Sequence, residues 1–205
     1  MVAVGAPLAL GRGRIALTEF INGFTIGKIA FGEFPTDPAV WLELRADDTV
    51  VLHSPKAEMG QGIHTALAQI AAAELGARFA QVLVVQASTS RGFGPKNLDT
   101  GGSFSTKSIM PPLRQVCALL RGAIAAAGAQ ALGVDPSAIS VEQGQVRGPS
   151  TSLTFGQLVA TNPTWKWPAT ATLRPLEEFK ARLTGPPRAW KGPPRATGRR
   201  SSATT

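Results

Sequence analysis

The chain has 205 residues, 43% of them hydrophobic, enough for one core with a short second unit and too few for several full domains. Its single cysteine, Cys117, excludes an internal disulfide and a cysteine-held iron–sulfur cluster. The net charge of +8 is lopsided. Arg174 to Thr205 holds eight Lys/Arg against two Asp/Glu (+6), while residues 1–173 hold thirteen against eleven (+2), so basicity belongs to the tail.

Residues 1–38 read as a poorly defined amino-terminal extension. Thr18–Ile29 mixes apolar residues with Gly23 and Gly27, and Pro35-Thr36-Asp37-Pro38 breaks the chain. Met1–Leu10 is apolar, but Arg12 and Arg14 follow it instead of preceding it, the wrong order for a secretory signal. No uninterrupted run of about 18 apolar residues occurs, so no transmembrane segment is expected. The expected compartment is cytoplasmic, with the periplasm as the alternative for a longer, complete protein. Val40–Arg45 reads as a strand, Ala46-Asp47-Asp48 as a turn and Thr49–Ser54 as the returning strand of a hairpin.

Ala57-Glu58-Met59-Gly60-Gln61-Gly62-Ile63-His64-Thr65 then joins that strand to a helix over Ile63–Leu75, closed by Gly76. Two glycines around one amide side chain let a ligand approach the main chain closely. A helix start offers unpaired N–H groups and a positive dipole end, which suits phosphate. Gln61 exchanges hydrogen bonds but neither titrates nor attacks, so the turn reads as a cofactor or anion cradle, with a plain glycine turn as the alternative. Glu58 is expected to accept a local backbone N–H instead of working as an acid or base, and His64 to cap or pack the first helical turn.

Val82–Val85 reads as a buried strand. Asp99-Thr100-Gly101-Gly102-Ser103-Phe104-Ser105-Thr106 forms a second glycine turn, where successive N–H groups can make an anion-binding nest. An alanine-rich helix follows over Leu113–Leu132, with Cys117 as a small buried hydrophobe inside it. Ile139–Glu142 and Gln145–Arg147 read as a short hairpin around Gly144, and Thr154–Val159 as a short helix with a Thr154/Gln157 capping box. Trp165 and Trp167 flank Lys166 and are expected to pack a linker onto the domain. The tail, with Gly185-Pro186-Pro187 and Gly192-Pro193-Pro194, has few core-forming residues and is expected to be disordered. Hairpins interleaved with two main helices give an α+β fold with a mixed sheet. The expected division is an extension over 1–38, a binding domain over 39–160, and a linker with a basic tail over 161–205.

The run from Lys56 to Ile70 with its Glu58-Met59-Gly60-Gln61-Gly62 core, followed by Thr100-Gly101-Gly102-Ser103, resembles the xanthine dehydrogenase/aldehyde oxidase family. Within it, the pattern is similar to the large subunits of bacterial isoquinoline 1-oxidoreductase and of membrane-associated aldehyde dehydrogenases. The resemblance runs from about Ala39 to about Lys180. It implies a molybdopterin cofactor, in bacteria the cytosine dinucleotide form. Gly60, Gln61 and Gly62 would be the first contact set, with Gln61 nearest the metal, and Gly101, Gly102 and Ser103 the second. No residue would ligate the metal, which the family holds through its pterin. The resemblance also implies a [2Fe–2S] small subunit, further large-subunit domains, and an aldehyde or N-heterocycle as the small-molecule substrate.

The chain departs from that family in two places. It has no GGGFG loop, since Arg91-Gly92-Phe93-Gly94 differs and lies between the two motifs. It also has no counterpart of the family's carboxyl-terminal glutamate base, and Glu177 and Glu178 read as a solvated face. The expectation is therefore a cofactor-binding segment of a molybdenum hydroxylase, inactive alone. Its alternatives are a truncated non-catalytic remnant and an anion- or nucleic-acid-binding module acting through the basic tail.

Overall fold

A computed structural model of the chain describes residues 33–161 and 163–183. The stretch 1–32, Asn162 and the basic tail from Thr184 onward lie outside the described residues. The Asp37-Pro38 pair does more than break the chain. Asp37 Oδ1 accepts the Ala39 N–H at 2.9 Å, and Pro38 takes the first helical position, where its missing N–H costs nothing. One helical turn, α1 (Pro38–Trp41), results where the sequence suggests a strand from Val40. Strand β1 (Leu42–Leu44) starts only afterwards. Trp41 is fully buried, donates its Nε1–H to Pro35 O at 2.8 Å, and meets Phe93 edge-on with centroids 4.9 Å apart.

The mixed sheet is built on β2 (Val50–Ser54), which pairs antiparallel with β1 and parallel with β3 (Val82–Gln86), in the order β1-β2-β3. Val50, Val51 and Leu52 are all buried, as expected of a central strand covered on both faces. The parallel pairing requires a crossover, and α2 (Ile63–Leu75) provides it. Gly76 closes α2 in the left-handed region, φ 83°.

The second main helix, α3, runs over Ser105–Leu132, eight residues earlier than the sequence suggests, with Pro111 and Pro112 inside it. Each proline removes one helical hydrogen bond. Ile109 and Leu113, both fully buried on either side of the pair, hold the helix through it, so tertiary packing overrides propensity. Over its 28 residues α3 is long and apolar enough to cross a membrane by length and composition, a window that counting uninterrupted apolar runs does not register. Half of that window is buried inside the fold, where α3 lies against α2.

A second sheet is an antiparallel meander of β4 (Ser140–Glu142), β5 (Gln145–Arg147) and β6 (Ser152–Thr154). Gln143 and Gly144 both take positive φ, 55° and 73°, as a two-residue hairpin turn demands. The Gly144 N–H donates to Gly76 O at 2.8 Å, tying this sheet to the end of α2. Strand β5 sits so close to α3 that a Cβ on Gly128 would lie 2.2 Å from Val146 Cγ1. Helix α4 (Phe155–Ala160) carries the expected capping box, with Thr154 Oγ1 accepting the Gln157 N–H and Gln157 Oε1 accepting the Thr154 N–H. The α+β class with a mixed sheet, a hairpin and two main helices is the one that the sequence suggests.

Helix α5 (Leu176–Leu183) lies in the stretch read as linker, and it packs on the fold. Phe179 is buried under the Arg114 guanidinium, whose Cζ sits 4.0 Å from the ring centroid. Behind it Glu74, with no exposed surface, accepts from Arg114 Nε (2.8 Å), Arg121 Nη1 (2.9 Å) and the Arg174 N–H (2.8 Å). Arg174 continues to Glu142 and Glu178, and Arg182 grips Glu142 with both terminal nitrogens at 2.7 Å. Glu178 thus belongs to an ion-pair network, while Glu177 stays in solvent, bonded to Lys180.

Two substitutions test this packing. Gly128→Ala gains about 1 kcal/mol of helix propensity, but overpacking against fully buried Val146 costs about 1–3 kcal/mol, so urea midpoints should fall. A midpoint that rises would show that α3 and β5 are not in this contact. Glu74→Gln strips the charge from between two arginine side chains and the Arg174 N–H and should destabilise by about 3–5 kcal/mol in the same assay.

Candidate functional site

Both glycine turns lie on the surface at the starts of α2 and α3, and the chain ties them together. The Ala57 N–H donates to Thr100 Oγ1 at 3.0 Å. The Lys56 ammonium donates to the Asp99 carbonyl, and its Nζ stands 5.9 Å from the centre of the Phe34 ring. Lys56 is wholly buried, and desolvation lowers its pKa below the usual lysine value. Its backbone is pinned as well: Ser54 Oγ donates to Lys56 O at 2.8 Å and accepts the Lys56 N–H at 3.1 Å. The end of β2 therefore fixes the first turn, and Lys56 with Thr100 fixes the second against it. Sequence reasoning misses Lys56, Asp99 and Thr100 as bridging groups. Their adjacency to the motifs is visible in the chain, but contacts across 43 residues are not.

The first turn differs from an open phosphate cradle. The Glu58 carboxylate already accepts the N–H groups of Gly60 (2.8 Å), Gly62 (3.0 Å) and His64 (3.0 Å). These bonds, the one from His64 first, hold its carboxyl below the usual pKa range. Glu58 thus does what is expected of it three times over, and it spends the donors that would otherwise face phosphate. Gln61 also folds inward, its Oε1 accepting the Met59 N–H at 2.6 Å and its Nε2 donating to Ala57 O at 2.8 Å. The His64 ring reaches Lys56 O at 3.2 Å, a packing role. Gly62 serves as the N-cap of α2 with φ 79°.

The second turn is left open. Gly102 and Ser103 both take left-handed φ, 62° and 58°. Among the described residues, no internal acceptor takes the N–H groups of Gly101, Gly102 or Ser103. Among the described residues, a Cβ placed on Gly60, Gly62 or Gly101 would meet nothing within 4 Å, so the main chain is open there, whereas Gly102 lies against the Phe104 ring. All six expected contact residues are exposed, and Met59 stands beside them with 69% of its surface open.

Other groups fall elsewhere. His53 Nε2 lies 2.8 Å from Glu43 Oε1, which also meets Arg91, and burial lowers the His53 pKa. Cys117 is fully buried, and desolvation pushes its thiol pKa far up, as befits an inert core residue. Two surface cavities, of about 310 and 380 Å³, contain no residue of either turn. Trp167 lies against the core, with its indole N–H buried and without a partner among the described residues.

The model of the molybdopterin cofactor-binding domain matches residues 9–197. The chain is 30% identical over 160 residues to "Membrane-bound aldehyde dehydrogenase [pyrroloquinoline-quinone]" of Gluconacetobacter polyoxogenes, covering 78% of this chain and 20% of that protein. It is 31% identical over 178 residues to a nicotinate dehydrogenase subunit of Pseudomonas putida, covering 84% and 15%. It is 33% identical over 131 residues to the beta subunit of isoquinoline 1-oxidoreductase of Brevundimonas diminuta, covering 60% and 17%. The chain thus spans a fifth or less of the length of these relatives.

Removing the clasp between the turns gives a direct check of this geometry. Thr100→Val deletes the acceptor of the Ala57 N–H and should cost about 1 kcal/mol in urea unfolding, with faster hydrogen exchange at the Ala57 amide. Unchanged exchange at Ala57 would show that the two turns are not joined there.

Proposed function

The chain belongs to the family of molybdopterin cofactor-binding domains, and from that premise we propose that it is the cofactor-binding segment of a molybdenum hydroxylase. The observation that carries this reading is the joined pair of glycine turns, open above the main chain at Gly60, Gly62 and Gly101 and clasped by Lys56–Asp99 and Ala57–Thr100. Main chain stripped of Cβ atoms suits a large flat ligand that must approach closely. The open N–H groups of Gly101, Gly102 and Ser103 suit its phosphate. Gly60, Gln61 and Gly62 would lie along the pterin portion, with the Gln61 amide exchanging its two internal bonds for ligand contacts. The bound group supplies redox and oxygen-transfer chemistry, and this chain's residues hold and orient it.

The finer features of the reading extend from the relatives. The cytosine dinucleotide form is proposed for the cofactor. A [2Fe–2S] partner and further domains are proposed to complete the enzyme and provide the base, with an aldehyde or an N-heterocycle as substrate. The relatives include an aldehyde dehydrogenase, a nicotinate dehydrogenase and an isoquinoline oxidoreductase by name, which supports that substrate range. The quinone in the first name is a property of that protein; the family model, matched across residues 9–197, favours molybdopterin here. We take the binding unit to be 39–160; the described segment 163–183 packs onto it.

The test is cofactor content of the full chain from a host that makes molybdopterin cytosine dinucleotide. Gly102→Val forces a branched side chain into φ 62° and against Phe104, and should lower loading about tenfold. Gln61→Ala should lower it less, because it removes a contact without bending the backbone. Loading that is indifferent to Gly102→Val would count against the second turn as the phosphate site.

A further inference from the structure

Three backbone N–H groups at the start of α2 converge on one carboxylate. Glu58 Oε1 takes those of Gly60 and Gly62, and Oε2 takes that of His64. This is the arrangement a helix start offers to an external anion, with the anion supplied by the chain itself. Four residues of turn separate Glu58 from Ile63, and one side chain spans all of them. The glycines would otherwise be loose, since Gly60 and Gly62 sit at φ 98° and 79° with no neighbour among the described residues within 4 Å of a Cβ position. Ordering such a segment costs about 1–2 kcal/mol of backbone entropy per residue. Charge-assisted bonds from three amides act against that cost in the free protein.

We propose that Glu58 is a positioning residue of the cofactor site: its carboxylate serves as the internal anion of the first glycine turn, shaping it before the cofactor arrives and keeping free phosphate out. The proposal rests on the cofactor-binding reading above for its purpose, though the geometry is independent of it. The neighbouring Gln61 and Met59 are held through the same turn, because the Met59 N–H is bonded to Gln61 Oε1 and the Gly60 N–H to Glu58. The two turns are then unlike in kind. The first is closed to anions and preshaped, and the second keeps its donors open.

The test uses the full chain, isotopically labelled and free of cofactor, as wild type, Glu58→Ala and Glu58→Gln. Hydrogen exchange and amide shifts of Gly60, Gly62 and His64 are followed while inorganic phosphate is added, and cofactor content is then measured after loading. In the wild type the three amides should exchange slowly and ignore phosphate. In Glu58→Ala they should exchange about tenfold faster and shift with phosphate, and loading should fall. Glu58→Gln keeps an acceptor oxygen without the charge and should lie between. Phosphate shifts in the wild type as large as in Glu58→Ala, or unchanged exchange in Glu58→Ala, would overturn the proposal. If Glu58→Ala does not fold, Glu58→Gln decides by the same amides. A wild type that takes up no cofactor would overturn the functional reading, and the amide comparison would still decide the role of Glu58.

Discussion

The buried carboxylate of Glu74 is the constraint on which the rest of the molecule depends. It sits at the end of α2 with no exposed surface and accepts from Arg114 and Arg121 of α3 and from the main chain at Arg174. An isolated charge at that position would cost several kcal/mol in desolvation. It is tolerated because its oxygens are filled by charged or backbone donors. The arginines then reach outward: Arg121 to the Glu74 and Thr172 carbonyls, and Arg174 to Glu142 and Glu178. One carboxylate thereby fixes the angle between the two main helices and docks the segment leading into α5. Apolar packing between α2 and α3 tolerates small slides, because alanine faces are smooth; directional bonds at Glu74 remove that freedom.

That rigidity reaches the site through the opposite ends of the same helices. Glu74 lies near the carboxyl end of α2, and the first glycine turn lies at its amino end. Helix α3 leaves the second turn and passes the Glu74 cluster at Arg114 and Arg121. Holding α2 against α3 therefore holds the two turns at a fixed separation. Lys56 and Thr100 complete the clasp at the turns themselves. Exposed main chain of this kind becomes a defined surface only when the elements behind it are fixed, and here two separate sets of polar contacts do that.

Local chemistry is readable in the sequence and distant chemistry is not. The Gly60–Gly62 turn, α2 with its Gly76 stop, the Gly144 hairpin and the Thr154/Gln157 box all announce themselves within a few residues, and all stand where the sequence puts them. The start of α3 is hidden because Pro111 and Pro112 argue locally against helix, while Ile109 and Leu113 are buried by partners far along the chain. Val40 and Trp41 look like strand because Asp37-Pro38 serves equally well as a chain break and as a helix start. Phe179 and Arg174 look like parts of a basic tail, since nothing in their own neighbourhood reveals a ring packed under Arg114 or a backbone bonded to Glu74. At the site, the two motifs are legible and their joining is not.

The contrast between the turns shows why two similar glycine motifs need not perform the same task. A backbone donor serves one acceptor at a time, so a turn cannot both be shaped by its own carboxylate and offer the same N–H groups to phosphate. The chain divides these demands. Beside the first turn, Glu58 spends three donors on order, leaving the open face of Gly60 and Gly62, and Gln61 once it gives up its two internal bonds, for contacts that do not depend on anion binding. Beside the second, no acidic residue follows Thr100 within the turn, and left-handed Gly102 and Ser103 keep their N–H groups without an acceptor among the described residues. A ligand with a flat uncharged portion and an anionic portion would meet each where the chain is prepared for it. The placement of one glutamate, two residues before a glycine, is enough to set that polarity.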